Sequence, residues 1–141
     1  MERMIYCFAK DRNKLLYELE RESKPLMKHL VKYFMYPGHT SANHWGDEIY
    51  AFLNSVSKFK KKNKRPTSDQ ILKSTWGIYE DSIIEYIPTV IDDYGDSDID
   101  PEVIYNSCKE YMIWLCTTLS DIGSVSKKAC KLELKNIEMG K

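Results

Sequence analysis

All three histidines of the chain, His29, His39 and His44, fall within sixteen positions, and Asp47 and Glu48 follow at once. Imidazole nitrogens and carboxylate oxygens are the ligands of catalytic metals and the groups that carry protons near neutral pH. A four-residue step places His44 and Glu48 on one flank of a helix, as ligand pairs stand in helical bundles. Two ligands are not a site, so His29 from the preceding helix and His39 from the intervening turn would have to complete it. His29, His39, His44 and Glu48 are therefore the candidates for a metal-dependent enzyme. The same residues also have an account that needs no metal. Asp47 and Glu48 lie toward a helix N-terminus, where carboxylates suit the dipole, and His44 with Glu48 makes an i,i+4 polar pair. His29 falls on the polar side of its helix, and His39 sits in a Pro-Gly turn. Capping and surface pairing is the preferred reading, and no cofactor is implied.

Two charge runs come next. Six of the eight residues from Lys58 to Arg65 are basic. Lys58, Lys60, Lys61, Lys62, Lys64 and Arg65, read as a basic loop at a helix end, form a candidate contact for phosphates or an acidic partner. The run holds a single arginine and no ladder of stacking aromatics, which argues against base readout. Lysines near a helix C-terminus also complement its dipole without any ligand. The counterpart is acidic: Asp92, Asp93, Asp96, Asp98, Asp100 and Glu102 have no basic residue among them. Asp96, Asp98 and Asp100 imitate the first half of a calcium loop, yet Pro101 stands where glycine is needed and Ser107 where glutamate is. An exposed acidic loop ending in an N-cap is the simpler reading, and Asp92, Asp93, Asp96 and Asp98 are candidates for receiving a basic partner.

These groups must be held by helices. Leu26, Met27, Leu30, Val31 and Phe34 form a helical stripe after Ser23 and Pro25, which read as N-cap and first-turn residue. An earlier helix is predicted from Arg3 to Arg21 on Ile5, Phe8, Ala9, Leu15, Leu16 and Leu19. After the YPGHTS turn, Thr40 or Ser41 caps a helix whose apolar face runs Trp45, Ile49, Phe52, Leu53, Val56 and Phe59. Thr67 and Gln70 form a capping box for a further helix carrying Ile71, Leu72, Trp76, Tyr79, Ile83, Ile84 and Ile87, which Pro88 should end or kink. Asp100 and Pro101 then open a helix carrying Ile104, Cys108, Tyr111, Met112, Leu115, Thr118, Leu119 and Ile122, stopped by Gly123. A last helix, from about Val125 to Ile137, presents Val125, Ala129, Leu132 and Ile137. No stretch alternates with period two, so the fold class is all-α: one domain over 1–141, a compact bundle of five to six helices.

Composition agrees with this and limits function. At 141 residues a chain buries roughly two-thirds of its unfolded surface, enough for its own core. Twenty-one basic residues balance twenty-one acidic ones, so no global field draws the molecule to nucleic acid or membrane, and electrostatic function must be local. No apolar run approaches the ~18 residues of a membrane span. The apolar stretch in MERMIYCFAKDR is flanked by charge on both sides and too short for a signal-peptide core, so a cytoplasmic location is expected. Cys7, Cys108, Cys116 and Cys130 lack CxxC spacing and read as reduced structural thiols. Phosphate-loop, dinucleotide, nucleophile-elbow and HExxH motifs are absent from the sequence. Trp45, Trp76 and Trp114 fall on or beside apolar stripes and read as core.

His29-Leu30-Val31-Lys32-Tyr33, then Tyr36-Pro37, then Trp45 with Glu48-Ile49, resembles the central part of a bacterial family of small helical proteins of unknown function. In that family a comparable helix end is followed by a helix led by tryptophan. The resemblance spans about residues 26–53 and implies a helical fold without assigning any activity. The functional expectation is a small cytosolic interaction or regulatory module that binds another protein or a second copy of itself. Nucleic-acid association through Lys58 to Arg65 is the alternative, and a metal-dependent enzyme built on the histidines is the second alternative.

Overall fold

Apolar side chains recurring every three or four residues can leave water together only if their helices turn one face inward against others. The computed structural model describes residues 25–62, 80, 83–122 and 125–140, with backbone alone over 53–62 and 119–122. Among the described residues there are five helices and no strand. They are α1 (25–35), α2 (Ala42–Lys62), α3 (83–94), α4 (Pro101–Ile122) and α5 (Lys127–Met139). The predicted Arg3–Arg21 helix, Ser23, the Thr67–Gln70 capping box, Ile71, Leu72, Trp76, Tyr79 and Gly123 lie outside the described residues.

The core draws on all five helices. From α1 come Leu26, Met27, Leu30, Val31 and Phe34, from α2 Trp45, Ile49 and Phe52, and from α3 Ile83, Ile87 and Val90. The α4 contribution is Ile104, Cys108, Tyr111, Met112 and Leu115, and α5 adds Cys130, Leu134 and Ile137. The faces foreseen for α1 and for the described parts of α2 and α4 are thus the buried ones, while the side chains of Leu53, Val56, Phe59, Leu119 and Ile122 lie outside the described ones. At α4 the entry is as read: Asp100 Oδ1 accepts the Glu102 N–H at 2.8 Å, with Pro101 as first helical residue.

Two expectations need correction. Pro88 does not end its helix, because α3 runs on to Tyr94. Ile84, expected on the apolar stripe of this helix, is instead exposed, as Pro88 is, so the Ile84 carbonyl that loses its usual donor belongs to a residue open to water. The helix stops instead at Gly95, whose φ of +94° suits glycine and whose N–H donates to the Ile91 carbonyl at 2.7 Å. On α5 the predicted face holds in part: Ile137 is buried and Val125 packs partly buried against the core, but Leu132 is turned out, and Cys130 and Leu134 are buried with Ile137. Ser126 is the N-cap, accepting the Ala129 N–H at 3.1 Å, and Leu132 is 56% exposed. Leu132 stands two residues from both Cys130 and Leu134, about 200° round the helix from either, and so faces away from the core.

α5 packs on α2 and α4. Gly46 is buried beneath it: a Cβ there would meet Lys131 Cγ at 3.4 Å and Leu134 Cδ1 at 3.8 Å. Beside this contact Asp47 Oδ1 takes Lys127 Nζ at 3.1 Å and Lys131 Nζ at 2.5 Å, and Lys131 also donates to Asn43 Oδ1 at 2.7 Å. Hydrogen bonds from both lysines hold the Asp47 carboxyl below its ordinary range. The two ammonium groups cover Oδ1, while the side chain as a whole stays partly exposed. The connector between α3 and α4 is tied to the end of α1. Ser97 Oγ donates to the Met35 carbonyl at 2.9 Å, and the Tyr36 hydroxyl donates to the Gly95 carbonyl. These bonds satisfy a carbonyl of the kind a helix C-terminus leaves without a partner.

Candidate functional site

The three histidines do different things. His29 is half-buried on α1, and its Nδ1–H donates to the Pro25 carbonyl at 2.6 Å. Burial pushes its pKa below the usual 6.5, with Lys32 and His44 acting in the same direction and the Pro25 bond and Glu48 opposing. His44 and Glu48 pair across one turn of α2 at 3.8 Å, both well exposed, where such a contact contributes little. His39 is turned elsewhere. Its Nδ1 accepts the Ser41 N–H at 3.0 Å, and its ring stacks on Trp45 with centroids 5.1 Å apart. The fold therefore brings His29, His44 and Glu48 into one electrostatic neighbourhood and sends His39 into an aromatic cluster. Among the described residues no group of three or more His, Cys, Asp or Glu is arranged to hold a metal ion.

The expectation that Asp47 and Glu48 serve the helix dipole is also corrected. The first turn of α2 holds no acidic residue, and the dipole's influence fades beyond that turn. Asp47 is instead the anion that fastens α2 to α5, a role set by two lysines some eighty residues away that no local pattern could reveal.

His29 gives a pH prediction. Its folded pKa lies below the unfolded one, so between 6.5 and the lowered value the unfolded chain takes up a proton that the folded chain refuses. Stability should be full above about pH 6.5, fall as the pH drops through that window, and level off below it. The check is a series of urea midpoints across pH 7.5 to 5 for the parent and His29→Gln. The variant should lose this component of the slope, and parallel curves would show that His29 does not titrate differently on folding.

The aromatic cluster was not foreseen, because its members come from three separate stretches. Tyr94, at the end of α3, meets His39 at 5.4 Å and Trp45 at 5.5 Å, both edge-on, and Tyr36 at 5.7 Å. Lys32 Nζ lies 5.4 Å from the Tyr94 centroid, within cation–π range. Trp45 is its floor, 2% exposed, whereas His39 and Tyr94 reach solvent.

Around Tyr94 lies the acidic run. Asp92 and Asp93 belong to the last turn of α3, not to a loop as expected from Pro88. Asp96 and Asp98 lie in the connector, Asp100 caps α4, and Glu102 is in its first turn. All six are exposed. Asp100 and Glu102 stand at a helix N-terminus, where negative charge is favoured. Asp92 and Asp93 stand at a helix C-terminus, where it is disfavoured, and none of Asp92, Asp93, Asp96 and Asp98 forms an ion pair with a described side chain.

The basic run is placed only in part. The backbone of 58–62 continues α2, so Lys58, Lys60, Lys61 and Lys62 belong to the helix and not to a basic loop. Lys64 and Arg65 lie outside the described residues. Cys108, Cys116 and Cys130 are buried, and Cys7 lies outside the described residues. Burial pushes the Cys108 thiol up and that of Cys130 up to about 11, so neither is a ready thiolate nucleophile. No helix of the described residues is long and apolar enough to cross a membrane. The chain matches no protein-family model, no curated protein and no solved structure at the significance applied.

Proposed function

We propose that the protein is a cytoplasmic interaction module that binds another protein, receiving a lysine- or arginine-rich segment on Asp92, Asp93, Asp96 and Asp98. The observation behind this reading is the placement of the acidic run. Two carboxylates at the negative end of α3, continued by two more in the connector, repel one another and the helix dipole, and none of the four makes an ion pair with a described side chain; the Lys32 ammonium over the Tyr94 ring is a cation that lies among them. A basic segment would relieve that repulsion further, beside the Tyr94 ring that already carries the Lys32 ammonium at cation–π distance.

The test compares the parent with Asp92→Asn, Asp93→Asn, Asp96→Asn and Asp98→Asn combined, each used as bait in an extract of the native host. A protein retained by the parent in ~50 mM salt, weakened near ~300 mM as screening shortens, and lost by the fourfold variant is the expected result. Equal retention by both baits would remove the acidic face from the function. Nucleic acid held through residues 58–65 would behave differently. Four or five neutralised phosphates give a log–log salt slope of roughly −4. Duplex binding at micromolar affinity in ~200 mM salt, abolished when the six basic residues are changed to serine, would reverse the order of the two readings.

A further inference from the structure

We draw no further inference here: the strongest candidate, the exposed apolar line of Leu132 and Met139 on the outer face of α5 with Lys128 and Lys135 beside it, carries nothing because the structure does not show what covers it.

Discussion

Trp45→Ala should lower the unfolding free energy by roughly 3–5 kcal/mol, the range for removing a buried aromatic side chain and leaving its volume unfilled. Trp45 is 2% exposed, in the first turn of α2, and is where that helix meets the ends of two others. His39 stacks on one of its faces and Tyr94 packs edge-on, so the indole joins the α1–α2 turn, α2 and the end of α3. A domain of this size has total stability of the order of 5–15 kcal/mol, so the substitution should leave a protein that is marginal at 37 °C. The denaturant midpoint should move far down with little change in slope, since the surface exposed on unfolding is nearly the same. Trp45→Phe keeps an aromatic ring for His39 and Tyr94 and should recover about half of the loss. An unchanged midpoint in the alanine variant would mean that Trp45 does not close the core. It would then become a residue for contact with a partner.

The reasons why some elements were legible and others were not are physical. Helix α1 and the described parts of α2 and α4 bury the residues that helical periodicity selects because their apolar side chains are large and their polar faces clearly charged. On helix α5 the same rule placed Ile137 correctly and Leu132 wrongly. The helix is short, its buried face is made from Cys130, Leu134 and Ile137, and Leu132 supplies an equally apolar candidate on the opposite side. Counting hydrophobicity cannot separate a cysteine facing in from a leucine facing out, because only the neighbouring helices decide which is covered. Pro88 misled for a related reason: proline removes one donor, but the cost depends on whether water can reach the carbonyl left over, and that is a tertiary property.

At the candidate sites the limit is the range of the interaction. The His44–Glu48 pair was readable because it spans one helical turn. The Asp47 pairs with Lys127 and Lys131, the Ser97 bond to Met35 and the packing of His39 with Tyr94 join residues about fifty to eighty positions apart. Spacing along the chain carries no trace of them. Charge runs are visible in any sequence, yet their significance here depends on a detail of placement. Asp100 and Glu102 are stabilised where α4 begins, and Asp92 and Asp93 are opposed where α3 ends, although all four belong to one continuous acidic stretch.

Tyr111→Phe should make the protein more stable, by about 1 kcal/mol and up to the ~3 kcal/mol that a stranded buried polar group costs. Tyr111 is completely buried on α4, and its hydroxyl makes no hydrogen bond of ordinary geometry. The Cys130 thiol of α5 lies near it, but sulfur is a weak acceptor. Burial, joined by the charge and hydrogen-bonding proximity of Cys130 and by Glu133, holds the phenol well above its ordinary pKa, so it stays neutral and the cost is that of a desolvated hydroxyl whose neighbour is a weakly bonding sulfur out of good hydrogen-bond geometry. Phenylalanine keeps the ring, including its tilted contact with Trp114 at 5.5 Å, and removes only the oxygen. The void of one atom gives back part of the gain, which is why the lower figure is favoured. For a chain of this length 1 kcal/mol corresponds to a Tm change of roughly 3 °C, measurable by calorimetry. A fall in Tm of similar size would mean that the hydroxyl and the Cys130 thiol hydrogen-bond after all. Cys130→Ala in the Tyr111→Phe background should settle which: independent sites give additive losses, whereas a shared bond leaves less to lose in the second step.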